Sequence, residues 1–189
     1  MARRDGGKPL VHVNAPGRAH TRTRAIAALL VLVVFPAAAA GYYFGYNTGT
    51  LRVYVTDDLI DDFRHLNITF SQVQVKSAGA LTISEWVSVD LSTTTVDLTA
   101  LRDNITAPLG LGKITAGGYS HLRIVVESAV GELNTGENVE VTVPSGELKT
   151  NSQFTMKPQG ELSLFVRLQV VEAGGTYILR PVIGTITSG

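Results

Sequence analysis

The chain has 189 residues, no cysteine and a formal net charge of zero, a length that holds one ordinary domain with some chain to spare. The lack of cysteine excludes disulfides, Cys-ligated zinc, iron–sulfur clusters, thiol catalysis and a lipoprotein anchor. The neutral total hides a split: residues 1–47 carry six Lys/Arg against one acid, and the remainder carries ten basic against fifteen acidic residues, so the larger part lacks the basic face that nucleic acid requires.

Residues 1–24 form a basic lead, and residues 25–46, AIAALLVLVVFPAAAAGYYFGY, form an uncharged run. As a helix this run spans about 33 Å, enough for a bilayer core. The basic residues before it predict a cytoplasmic amino terminus, and Tyr42, Tyr43, Phe44 and Tyr46 gather where aromatic rings favour the membrane–water interface. The reading is a single-pass signal anchor in the cell membrane, with residues 47–189 outside. The alternative is a cleaved signal peptide. Pro36 ends the apolar stretch and Ala37–Ala40 offers small-residue cleavage sites, which would secrete a domain starting near Gly41. Arg3-Arg4 lies too far from the apolar run for a twin-arginine signal.

From residue 50 the apolar period becomes two. LRVYV aligns Leu51, Val53 and Val55 on one face. The short segment Asp58–His65 reads as a helix, with Leu59, Phe63 and Leu66 on one side. In NITFSQVQVKS, Ile68 and Phe70 share one parity and Val73 and Val75 the other. A β-bulge near Ser71-Gln72 restores the phase and keeps both pairs on the core side. WVSVDL and TTVDL read as further strands, followed by a second short helix near Thr99–Asn104. YSHLRIVVES aligns Leu122, Ile124 and Val126, VEVTV aligns Val139, Val141 and Val143, and ELSLFVRLQVV aligns five residues from Leu162 to Val170. YILRPVIGTI is the last strand, and Pro181, which cannot donate to a ladder, places it at an edge or a strand end. Glycines, among them Gly117-Gly118, Gly131, Gly136, Gly146, Gly160 and Gly174-Gly175, punctuate the runs. Many short strands over this length predict an all-β fold, an antiparallel β-sandwich of immunoglobulin-like or transthyretin-like type, behind one N-terminal transmembrane helix.

The segments GTLRVYVTDDLIDDFRHLNITFSQVQV, WVSVDLSTTTVDLTALRD, GGYSHLRIVVESA, VTVPSGELK and YILRPVI follow one another in this order. This order resembles the domain-of-unknown-function 4382 family of archaeal and bacterial exported proteins, over residues 49–185. The resemblance implies a small β-sandwich, often behind a signal or membrane segment, with no established activity. Members of that family have a Thr-Asp-Ala-Pro-like turn after the first strand. Here the turn reads Thr56-Asp57-Asp58-Leu59, so a proline-defined geometry does not carry over.

Four aspartates, Asp57, Asp58, Asp61 and Asp62, form the one dense acidic group. Calcium takes six to eight oxygens, and two adjacent pairs could supply several. The EF-hand order is absent, and the simpler reading is a turn in which Asp57 or Asp58 caps the short helix while Asp61 and Asp62 complement its dipole. Calcium is the only cofactor these residues suggest. A hydrolase using the aspartates is a further rival. His65 and His121 are the histidines outside the basic lead. His121 follows Ser120, but no nucleophile elbow is present and alternation places the two side chains on opposite faces. GLGKIT, residues 110–115, lacks phosphate-loop spacing. Asn67 and Asn104 head N-x-T sequons and are the candidate glycosylation acceptors. Together these residues predict a non-enzymatic module outside the membrane with a structural, adhesive or binding role toward a cell-envelope protein or a glycan. A secreted carbohydrate-binding module and a filament subunit are the alternatives.

Overall fold

The computed structural model describes residues 39, 41, 45–57, 61–78, 85–102, 105–151 and 153–188. The chain divides into two compact units, residues 1–41 and 42–189. Of the uncharged run, Ala39, Gly41, Gly45 and Tyr46 are described and helical, and the rest of the expected membrane span lies outside the described residues. No helix among the described residues is long and apolar enough to cross a membrane.

The second unit is all-β. Its strands are β1 (Thr48–Asp57), β2 (Phe63–Ser77), β3 (Trp86–Leu91), β4 (Thr95–Asp97), β5 (Thr106–Thr115) and β6 (Gly117–Leu133). They continue with β7 (Asn138–Thr142), β8 (Glu147–Thr150), β9 (Phe154–Met156), β10 (Glu161–Ala173) and β11 (Thr176–Ser188). All eleven belong to one hydrogen-bonded sheet. The period-two runs define its inner side. Leu51, Val53 and Val55 of β1 stand opposite Leu162, Leu164 and Val166 of β10, and all six are buried. Ile124 of β6 meets Val73 of β2, again with both buried.

The expected bulge is present. Phe70 pairs with Val126 and Gln72 with Val125, which leaves Ser71 as the extra residue. Ile68, Phe70, Val73 and Val75 are all fully buried as a result, since one added residue shifts the side-chain phase by half a period. Gly174 and Gly175, with φ of 61° and 78°, form the two-residue turn that joins β10 to β11 between the paired Ala173 and Thr176. Successive positive φ values are what a tight hairpin of this twist demands.

Four expectations are corrected. First, the pairing is mixed rather than antiparallel throughout: β1 with β10 and β11 with β7 run parallel. These partners are remote in sequence, so long connections supply the crossover that parallel strands need. Second, the described part of the expected helix at Asp58–His65, residues 61–65, is not helical. Residues 61–62 form a bend, and β2 has begun by Phe63. Phe63 and Leu66 are buried in that strand because a register shift between Phe63 and His65 turns both inward. Third, the second expected helix is a single 3-10 turn, Leu98–Leu101, capped by the Asp97 side chain. Fourth, Gly131 is not a break but lies inside β6.

The sheet path closes on itself. β2 pairs with β3, β3 with β5, β5 with β1, then β10, β11, β7 and β6 follow, and β6 returns to β2. Two strands turn the corners: β3 pairs with β2 through Trp86–Val89 and with β5 through Asp90 and Leu91. Likewise β7 pairs with β6 through Asn138–Glu140 and with β11 through Val141 and Thr142. Closure removes most of the open edge that an extended partner could join. Among the described residues β11 meets β7 only at Tyr177 and Ile178, and Pro181, which pairs with Leu168 of β10, lies beyond that contact.

Candidate functional site: a polar sheet face around Trp86

On the outer side of β2, Gln72, Gln74 and Lys76 alternate with the buried Val73 and Val75. Register sets Gln74 beside Ser88, and Lys76 beside Trp86, on β3. On the opposite flank Gln74 stands beside Arg123, and Lys76 beside His121, on β6. Arg123 in turn lies beside Lys149, and Val125 beside Glu147, on β8. Four adjacent strands therefore present one continuous grid of polar side chains, with the chain's single tryptophan at a corner.

The grid is hydrogen-bonded across the strands. Arg123 Nε donates to Gln74 Oε1 at 2.8 Å, and a terminal guanidinium N–H donates to the same oxygen. The Gln72 and Gln74 amides donate to Ser88 Oγ at 3.2 and 3.4 Å. Glu147 accepts from Lys149 Nζ at 2.6 Å and from Arg123 at 3.4 Å. The Lys149 ammonium holds the Glu147 carboxyl below the ordinary carboxylate range against a smaller opposing effect of burial, and Arg123 adds to it.

Trp86 and Arg123 are two strands apart, a separation of about 10 Å at the usual strand spacing. Yet the guanidinium carbon of Arg123 is 4.2 Å from the indole centroid. Both side chains must lie down over β2 to meet, which explains why Gln74, on the outer side of the sheet, is only 8% exposed. Lys76 Nζ stands 6.0 Å from the same ring. Trp86 itself stays partly exposed. The face thus offers a flattened aromatic group fixed by a cation–π contact among directed hydrogen-bond donors, an arrangement suited to holding a polar ligand.

The aspartates are placed differently from one another. Asp57 is buried at the end of β1. Asp61 and Asp62 are exposed in the bend before β2, and their carbonyl oxygens accept from Asn134 at 2.6 and 3.0 Å. Asp62 also faces Tyr177, whose phenol is pushed up by burial first and then by Asp62, Glu172 and Glu137. Asp58 lies outside the described residues. No group of three or more His, Asp or Glu side chains is placed to hold a metal among the described residues. Melting the full-length chain in millimolar calcium and in EDTA is therefore expected to give the same Tm. A calcium-dependent rise of several degrees would give these aspartates a ligand role.

The Ser120–His121 expectation needs correction. The two side chains meet, with His121 Nδ1 2.8 Å from Ser120 Oγ, because the short serine side chain can fold back along the strand. Ser120 Oγ also lies 3.5 Å from the Lys76 carbonyl as a donor. His65 Nδ1 is 2.8 Å from Asp97 Oδ2, in a cluster that ties β4 to β2. Asn67 is exposed on β2 beside Val130 and Asp97. Asn104 lies outside the described residues.

A second outer surface, on β1 and β10, carries Tyr54 and Phe165 stacked at 5.1 Å and 13°, next to the Arg52–Glu161 ion pair at 2.6 Å. It offers aromatic edges but fewer directed polar groups than the Trp86 face. Reading the sequence missed the Trp86 face, although QVQVK carried half of the signal: alternation alone sets Gln72, Gln74 and Lys76 side by side. The chain matches the family described as Domain of unknown function (DUF4382) over residues 48–181. No curated protein and no solved structure matches it.

Proposed function

The chain belongs to the DUF4382 family, and from that footing we propose that it is a non-catalytic binding module, displayed outside the cell membrane on an N-terminal signal anchor, which engages a cell-envelope partner through its Trp86 face. The observation that carries the reading is the cross-strand grid of Gln72, Gln74, Ser88 and Arg123 around a partly exposed tryptophan. Such a surface holds hydrogen-bonding groups in fixed positions and so lowers the ordering cost of binding. We read the architecture as a β-sandwich whose two layers are joined at the corners by β3 and β7, since each of these strands pairs into both. The anchor rests on the uncharged residues 25–46 and the basic residues before them. Closure of the sheet favours recognition by a face over strand addition at an edge. The secreted carbohydrate-binding module remains the second reading, favoured by the same tryptophan, and glycan binding together with a mature start near Gly41 would support it.

Membranes washed with alkaline carbonate are expected to retain the full-length chain, and a chain beginning near Gly41 in the medium would replace the anchored form by the secreted one. An envelope fraction from the cells that make the protein should retain the purified protein, and Trp86→Ala should release it. Equal retention of the variant would remove the face from the function.

A further inference from the structure

We propose that the Trp86 face is a binding site for an acidic polysaccharide, a glycan chain bearing carboxylate or sulfate groups. The proposal rests on the reading of this face as a binding surface and names its ligand class. Charge complementarity carries it. The chain outside residues 1–47 has ten basic and fifteen acidic residues, yet Lys76, Arg123 and Lys149 collect on this one face. Glu147 is the acid among them and is already engaged by two of the three. Asp90 sits at the far end of β3, where that strand has left β2 for β5, and Glu85 precedes the strand. Arg123 and Lys76 thus flank the ring and Lys149 extends the row on β8, while Asp90 and the exposed Glu127 lie further along β3 and β6. A local positive field on an acidic domain selects an anionic partner and repels it elsewhere.

The ring argues for a sugar rather than a bare anion. The C–H face of a pyranose packs on a flat aromatic surface, and its hydroxyl and anionic groups then reach the surrounding donors. Trp86 lies flattened over β2 and is partly exposed. Lys149 ends the Ser88–Gln74–Arg123 row on β8, and Lys76 stands one row over on β2, so the two ammonium groups lie at separate points of the face, open to different anionic groups of an extended chain. Lys149 is 54% exposed at its side chain, so an incoming carboxylate can share the ammonium with Glu147.

Trp86 is the only tryptophan, so intrinsic fluorescence of the full-length chain reports on this site. Titration with polygalacturonate is expected to change that emission saturably, with weaker binding at about 0.5 M salt, and neutral dextran of similar length should leave it unchanged. The double variant Lys76→Gln/Lys149→Gln should fold normally by circular dichroism and bind about ten-fold more weakly or worse, as expected on loss of two charge-assisted contacts. Absence of a fluorescence change with both polygalacturonate and dextran sulfate would overturn the ligand class. An unchanged affinity in the double variant, or equal binding of dextran, would do the same. Retention on the envelope fraction that depends on Trp86, without a response to either acidic glycan, would overturn this assignment while leaving the binding face in place.

Discussion

Phe63→Ala is expected to lower the stability of the domain by about 3–5 kcal/mol, the loss typical of a fully buried phenylalanine. Phe63 is 1% exposed at the start of β2 and meets Tyr177 of β11 edge-on at 4.8 Å. Its ring also lies over Gly131 of β6, where an added Cβ would come within 2.2 Å of Cε1. Glycine is therefore required there for space: Phe63 fills the place of the missing side chain and covers the exposed backbone of β6. Gly131→Ala alone should cost about 1–3 kcal/mol by overpacking. The double variant should cost less than the two single changes added together, because the cavity left by Phe63 receives the new methyl group. Chemical denaturation of the three variants tests this through the coupling term. Strict additivity would show that the two residues do not share space. The single Phe63 change should appear in a melt as a drop of about 10–20 °C.

Asp97→Ala should be the most damaging polar substitution, at about 2–4 kcal/mol. Its Oδ1 accepts from the backbone N–H of Leu66 at 3.1 Å, from the N–H of Thr99 at 3.1 Å and from Thr99 Oγ1 at 2.7 Å. Its Oδ2 meets His65 Nδ1 at 2.8 Å. One carboxylate thus caps the 3-10 turn and serves the main chain of β2 at Leu66, a residue with no exposed surface. Removing it strands that N–H. Partial burial pushes the Asp97 carboxyl up, but the bonds from His65, Thr99 and Leu66 outweigh it, and its pKa lies below the ordinary aspartate value. A lowered folded-state pKa stabilises the fold fully above about pH 4, and the contribution is lost as pH falls through the folded value. Denaturation of Asp97→Asn from pH 7 down to pH 2 should therefore show a shallower acid loss than the parent chain. Parallel curves would place the acid sensitivity in other carboxylates.

The strand faces were legible in the sequence because the side-chain period of a strand is a local property. Leu51, Val53 and Val55 point inward for the same reason that Gln72, Gln74 and Lys76 point outward, and the slip between Phe70 and Val73 announced the bulge at Ser71. Gly174-Gly175 marked a break in the same way, and the structure makes it the turn of the β10–β11 hairpin. The order of motifs along the chain was enough to indicate the family. The helix expected at Asp58–His65 arose because Leu59, Phe63 and Leu66 fit a helical spacing, and from Phe63 onward only pairing with β6 decided the competition in favour of a strand.

Strand partners, by contrast, follow from which faces and edges fit in three dimensions. The parallel match of β1 with β10, the corner-turning of β3 and β7, and the closure of β6 on β2 leave no local periodic trace. Gly131 reads as a break until Phe63 is seen to occupy its side-chain space. The Trp86 face has the same origin: alternation put each residue on the outside of its own strand, but packing of β3, β2, β6 and β8 side by side brought Trp86, Gln74, Arg123 and Glu147 together. Sequence by itself determined which side of each strand is buried, because that depends on period and hydrophobicity alone. The tertiary structure decided which outward side chains share a surface, because a cross-strand contact depends on register between segments far apart in the chain.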